Sequence, residues 1–172
     1  MSQDHTFERL WAPWRMPWIR ESTEGVSDCF ICDALAADPA SDRANLLLFR
    51  GEQALIILNR YPYSNGHLMV APNRHVSDLR SLTPAEVSEI GLLTQLALNT
   101  LEHSMNTHGF NLGWNLGRVS GAGLETHLHQ HIVPRWKGDT NFMPVVGGVK
   151  VISQELWETW DELRLALETF RK

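Results

Sequence analysis

Glu125-Thr126-His127-Leu128-His129-Gln130-His131-Ile132-Val133-Pro134-Arg135 holds three of the chain's eight histidines, spaced two apart. In an extended strand that spacing sets all three rings on one face. Leu128, Gln130 and Ile132 then share the other face, and two of those three are apolar. In a helix the same residues would be turned by roughly 200° per step and would not act together. Ordinary packing does not reward three adjacent imidazoles on a strand. The stretch therefore points to a metal site, a histidine nucleophile, or both.

Working outward, turns and periodic segments alternate. Downstream, Gly138-Asp139-Thr140-Asn141 is a polar loop, and Val145 to Ile152 is a short strand or extended segment. Ser153 is a candidate cap for a last helix with Leu156, Trp160, Leu163, Leu167 and Phe170 on its apolar face. Upstream, Gly117-Arg118-Val119-Ser120-Gly121-Ala122-Gly123 is a flexible loop. Its glycines permit close approach of backbone N–H groups to a ligand, although the spacing is not that of a P-loop. Phe110 to Asn115 reads as a strand. Leu82-Thr83-Pro84-Ala85-Glu86 opens a long helix, with Thr83 and Glu86 as a capping box and Pro84 in the first turn. Leu93, Leu96, Ala97, Leu101 and Met105 give that helix a buried stripe. His103 and His108, at its end, read as structural or surface residues.

Three more strands are expected at Leu46 to Arg50, Gln53 to Asn59 and His67 to Ala71, the first two joined by a hairpin at Arg50-Gly51-Glu52. Tyr61 to Gly66 is a turn-rich loop. Asp33 to Ala37 is a short helix, preceded by Cys29-Phe30-Ile31-Cys32. Leu10 to Ile19 contains Trp11, Trp14 and Trp18 with two prolines, which suits a strap over the domain. The expected fold class is α+β: a mainly antiparallel sheet of about five strands, one long helix and a C-terminal helix.

Composition narrows the partners. The 172 residues suit one domain, with or without a terminal extension. A net charge of -5 and no basic run argue against long nucleic acid, whereas one nucleotide needs only a few local donors. No apolar run of about 18 residues suggests a membrane span. The start lacks a signal-peptide pattern, so a cytoplasmic protein is expected. Two cysteines are too few for a disulfide framework. Trp136 joins the three N-terminal tryptophans as a ring expected over a core edge, an interface or a ligand.

Cys29 and Cys32 supply two thiolates, and two histidines would complete a four-coordinate structural zinc site. His75 and one triad histidine are the candidates. The remaining triad rings stay available for chemistry. A neutral imidazole attacks phosphorus well near neutral pH, and neighbouring rings orient it or face the phosphate oxygens. Asn115 and the glycine loop would add donors.

His127-Leu128-His129-Gln130-His131-Ile132-Val133 resembles the signature of the histidine triad superfamily, with Gln130 at a position usually apolar. The resemblance runs from roughly Cys29 to Trp136 and implies a histidine triad fold. It implies that His129 attacks the α-phosphate of a nucleotide, that His131 contacts the phosphate, and that His127 supports the nucleophile. It places His67 near the catalytic centre and Asn59 on the ribose hydroxyls. Gly121, Gly123 and Asn115, the donors that the glycine loop and its neighbour offer, are further nucleotide-binding candidates. The resemblance also selects Cys29, Cys32, His75 and His127 as the zinc set. The expected division is a tryptophan-rich extension over residues 1–25, the catalytic domain over 26–144, and a strand and helix of the same domain over 145–172.

Leu10 to Arg15 and Pro134 to Pro144 look like the bacterial diadenosine tetraphosphate phosphorylase group, related to diadenosine polyphosphate hydrolases. Gly123-Leu124-Glu125-Thr126 lacks the Gly-Gln-Ser or Gly-Gln-Thr of other branches. The expected reaction is phosphorolysis of diadenosine tetraphosphate to ADP and ATP through a nucleotidyl-His129 intermediate. The alternatives are hydrolysis of dinucleoside polyphosphates or other nucleotide conjugates, a non-catalytic nucleotide- or zinc-binding protein, and a zinc hydrolase using activated water. Magnesium would accompany the polyphosphate, and a homodimer is the expected assembly.

Overall fold

The computed structural model describes residues 29–139 and 151–170. The tryptophan-rich segment 1–25, the loop residues Thr140 and Asn141, and most of the strand expected at 145–152 lie outside them. Along the described chain run α1 (Phe30–Ala36), β1 (Leu47–Arg50), β2 (Ala54–Leu58), β3 (Leu68–Pro72), α2 (Pro84–Met105), β4 (Gly109–Trp114), β5 (Gln130–Arg135) and α3 (Leu156–Glu168). The sheet is antiparallel throughout, in the order β1-β2-β3-β5-β4. The expected α+β architecture is the observed one.

Alternation divides the sheet into two faces. Ile57, Met69, His131 and Gly113 pair in one row across β2, β3, β5 and β4. The next row is Ile56, Val70, Gln130 and Trp114. The second set turns toward α2. Gln130 meets Thr94 of that helix, whose hydroxyl lies 2.7 Å from its Oε1. This bond explains how a polar residue sits on the inner face, where the triad pattern calls for an apolar one. Ile56, Val70, Ile132, Ile90, Leu93, Ala97 and Leu101 fill the core between sheet and helix.

The helix starts as expected. Thr83 accepts from the Glu86 amide, and Glu86 accepts from the Thr83 amide in return. Arg74 clamps the same carboxylate, so one buried glutamate joins the helix start to the chain leaving β3. Its charge-assisted bonds, Arg74's first, hold the Glu86 carboxyl down at about 2. Helix α3 lies against α2, and its Trp160 and Arg164 donate to the Leu47 and Leu48 carbonyls of β1.

Three boundaries differ from expectation by more than one residue. The strand of the triad stretch begins only at Gln130, because β3 ends in Pro72, which has no N–H to continue the ladder. Leu128 bonds instead to the Val76 carbonyl at 2.6 Å. Helix α1 begins at Phe30, since the Cys29 sulfur accepts from the Cys32 amide and caps it. Helix α3 is flanked by Glu155 with no side-chain cap, not by Ser153, and Phe170 lies beyond its end.

Candidate active site and metal centre

The open face of the sheet, away from α2, carries the site. His127 and His129 precede the strand and His131 lies within it. Both His127 and His129 are buried. The expected common face holds for His129 and His131, whose rings meet edge to face with centroids 4.9 Å apart. His127 turns toward the cysteines instead.

The irregular path of residues 127–129 does the sorting. The His127 ring donates through Nε2–H to the Pro72 carbonyl at 2.8 Å, which leaves the Nδ1 lone pair pointing at sulfur. That Nδ1 lies 3.1 Å from Cys29 Sγ and 3.5 Å from Cys32 Sγ. His75 Nδ1 lies 3.2 Å from Cys32 Sγ. The ligand atoms of Cys29, Cys32, His75 and His127 all fall within 4.8 Å of one another. A tetrahedral zinc would separate sulfur from nitrogen by about 3.6 Å, so the spacing fits. The carbonyl behind His127 is the outer support that metal-binding histidines use. Burial first, then the Cys29 sulfur, pushes the Cys32 thiol up to about 11. A cation between the sulfurs would remove the penalty on the thiolates. Among the described residues this is the one such cluster.

His129 donates through Nδ1–H to the His127 carbonyl at 2.8 Å. Its proton is thereby fixed on Nδ1, and Nε2 keeps a lone pair. Burial lowers the His129 pKa, against a smaller opposing effect of that carbonyl, so the ring is neutral at pH 7. Burial likewise lowers His127.

A second chain of bonds fixes His131. The Tyr63 amide donates to His67 Nδ1 at 3.1 Å, and Asn59 Nδ2 lies 3.3 Å from the same atom. A backbone amide only donates, so His67 Nδ1 is an acceptor and the His67 proton resides on Nε2. His67 Nε2 lies 3.0 Å from His131 Nδ1 and donates to it. The His131 proton must then sit on Nε2. The site therefore contains one imidazole whose Nε2 keeps a lone pair and one whose Nε2 is a donor.

Two cavities flank this pair. One, of about 320 Å³, is lined by His129, His131 and Asn59, by Ile57 and Met69 from the sheet, and by Phe30 from α1. The other, of about 360 Å³, is bordered by His131, Asn115, Ser120, Gly121 and Tyr63. Gly123 belongs to the first cavity, and Asn115 and Gly121 to the second, so the proposed nucleotide-binding residues divide between them. Gly121 takes φ +77°, a left-handed turn that suits glycine.

Sequence reasoning did not find Tyr63, Phe30, Ile57 and Met69. Tyr63 stacks obliquely on His67 at 4.7 Å and borders both cavities. The apolar wall looks like ordinary strand core, and only the sheet register reveals which residues face the site. His103 and His108 stay outside it. His103 meets Phe170 edge to face, and His108 accepts from the Lys137 amide. Trp136 donates to the Met105 carbonyl at the end of α2.

Comparison with known proteins agrees with this geometry. The family model described as the HIT domain matches residues 42–138. A Mycobacterium tuberculosis protein named AP-4-A phosphorylase is 42% identical over 165 residues, covering 92% of this chain and 84% of its own. The solved structure of a zinc-bound histidine triad family protein from Mycobacterium smegmatis superposes with a TM-score of 0.64 at 26% identity, covering 87% of this chain and 96% of that one. A uridylyltransferase structure, at 17% identity and a TM-score of 0.67, shares the fold over 93% of this chain and 52% of its own. With the triad, the cysteine pair and the five-stranded sheet all in place, the chain belongs to the HIT domain family.

Proposed function

We propose that the protein is a nucleotidyl transferase that cleaves diadenosine tetraphosphate at the α-phosphate by phosphorolysis, giving ADP and ATP. The observation that carries this reading is the fixed proton of His129: Nδ1–H is held by the His127 carbonyl, so a neutral Nε2 lone pair lies in the wall of a nucleotide-sized cavity. The 42% identity to the M. tuberculosis AP-4-A phosphorylase supports the choice of substrate and acceptor.

In the first half-reaction His129 Nε2 forms a bond to the α-phosphorus while the bridging P–O bond breaks, and ATP leaves. The ring gains positive charge as it attacks, and the His127 carbonyl, bonded to Nδ1–H, stabilises that charge. His131 Nε2–H faces a non-bridging phosphate oxygen. In the second half-reaction an oxygen of inorganic phosphate attacks phosphorus, the P–N bond breaks, and ADP is released. Asn59 and the apolar wall hold the nucleoside, while Asn115, Gly121 and Ser120 border the space for the leaving polyphosphate. Cys29, Cys32, His75 and His127 would hold a structural zinc, which would fasten α1 to the approach to β5. Magnesium arrives with the polyphosphate. The active assembly is a homodimer, and the compartment is the cytoplasm. No helix among the described residues is long and apolar enough to cross a membrane.

The test is product analysis with diadenosine tetraphosphate in oxygen-18 water, with and without millimolar phosphate. ADP plus ATP formed only with phosphate is the expected result. AMP carrying oxygen-18, at a rate indifferent to phosphate, would replace phosphorolysis by hydrolysis and keep the His129 intermediate. His129→Ala is expected to lose covalent nucleotidylation and at least about 10³-fold in turnover. Full residual turnover in that variant would sink the mechanism.

A further inference from the structure

The loop between β2 and β3 meets the histidines on one side and the C-terminal segment on the other. Asn65 Nδ2 donates to Gln154 Oε1 at 3.1 Å. The Thr159 hydroxyl, on α3, lies 3.1 Å from the same oxygen and 3.3 Å from Asn65 Oδ1, and shares its one proton between them. Gln154 donates onward to Glu162 at 2.8 Å, and the other Glu162 oxygen accepts from Ser104 near the end of α2 at 2.6 Å. Thr159 is only 1% exposed. A buried hydroxyl at a helix–loop contact is costly unless satisfied, and here it is spent on a loop side chain.

The loop is also pressed onto α2. Gly66 has φ +72°, and a Cβ there would stand 2.6 Å from Met105 Sδ and 3.0 Å from Leu101. Within the same few residues, the His67 amide donates to the Ser64 carbonyl and the Tyr63 amide donates to His67 Nδ1. Only Ser64 separates Tyr63 from Asn65. A displacement of Asn65 therefore reaches the nearer of the two donors that set the His67 tautomer.

We propose that Asn65, Gln154 and Thr159 are positioning residues for the His67–His131 pair: α3 holds the loop so that the Tyr63 amide keeps the His67 proton on Nε2, and His131 consequently presents N–H rather than a lone pair to phosphate. This role rests on the nucleotidyl-transfer reading for its catalytic meaning, and not for its structural one. If the Tyr63 amide moves away, only the longer Asn59 Nδ2 contact at 3.3 Å still favours the Nε2 proton, and His67 comes to populate the Nδ1–H form as well. His67 Nε2 then accepts from His131 Nδ1–H, and the bare His131 Nε2 faces an anion. The loss falls mainly on the transfer step, because Ile57, Met69 and Phe30 of the nucleoside wall lie outside the loop and only its Tyr63 edge belongs to it.

Two readouts test this. Imidazole nitrogen-15 spectra of histidine-labelled protein, without substrate, are expected to show His67 and His131 protonated on Nε2 in the wild type and mixed tautomers in Thr159→Val and Asn65→Ala. Single-turnover nucleotidylation by diadenosine tetraphosphate is expected to slow by about 10- to 100-fold in either variant with KM little changed. The Thr159→Val effect should vanish in a His67→Ala background, because the relay is already gone. Unchanged imidazole spectra, or losses that simply add in the double variant, would overturn the positioning role. Asn65→Ala, at a half-buried site, carries the comparison if Thr159→Val fails to fold. Altered spectra alongside full His129→Ala turnover would instead condemn the nucleotidyl-transfer reading and leave the tautomer relay standing.

Discussion

At the scale of single residues, the site works by deciding where protons sit. Each of the three buried histidines, His67, His127 and His129, has one ring nitrogen committed to a backbone group. Backbone groups have fixed donor or acceptor character, so the tautomers follow without reference to pH. Gly66 shows how narrow the tolerance is. Its left-handed φ strains any side chain there, and a Cβ would press the Met105 sulfur at 2.6 Å. Gly66→Ala is expected to destabilise the fold by about 2 kcal/mol, a fall in melting temperature of about 4–8 °C, read by calorimetry. A melting temperature equal to that of the wild type would show that the loop relaxes freely.

At the scale of elements, α1 is a seven-residue helix serving two neighbours. Cys29 and Cys32 belong to the four-residue donor cluster, while Phe30 lines the first cavity. So short a helix is not stable alone and depends on its attachments. Cys32→Ser, or exhaustive chelation, is expected to lower the melting temperature and to weaken AMP binding severalfold by calorimetric titration. AMP affinity unchanged after verified metal removal would show that the cavity wall stands without the cluster.

The start of α2 supplies a pH prediction. The Glu86 carboxyl is held at about 2, below its ordinary value near 4.5, chiefly by Arg74. A carboxyl lowered in the folded state contributes stability above its unfolded pKa, and that contribution is lost as pH falls through the folded value. Glu86→Gln is expected to cost on the order of 2 kcal/mol at pH 7 and to flatten the loss of stability between about pH 4.5 and 2. Melting curves in chelator, which removes the acid sensitivity of the cluster, would check it. Parallel pH profiles for variant and wild type would remove Glu86 from the acid response.

At the scale of the whole molecule, the sheet register composes the site. The row Ile57, Met69, His131 and Gly113 comes from four strands that are scattered in sequence. The capping box at Thr83 and Glu86, the hairpin at Gly51 and the alternation around His131 were legible because each is a local pattern. The cluster of Cys29, Cys32, His75 and His127 was legible through donor chemistry, sharpened by family resemblance. The cavity wall was not, since Ile57 and Met69 carry the same apolar signal whether they face a helix or a ligand. The late start of the triad strand was hidden for another reason. It depends on Pro72 of a different strand and on the Val76 carbonyl, which no pattern within residues 125–135 announces. The tie between Asn65 and Thr159 joins residues 94 positions apart and has no sequence period to reveal it.

His127 presents its two functions through different parts of the residue. The ring faces the sulfurs, whereas the group that orients His129 is the peptide carbonyl. Every amino acid supplies that carbonyl, so exchange of the side chain removes a ligand without deleting the acceptor of the His129 proton. Metal affinity at this position is therefore open to mutational drift, while the orientation of the nucleophile is insulated from it. A lineage that keeps this backbone path is free to alter the donor cluster one side chain at a time and still hold the His129 proton in place.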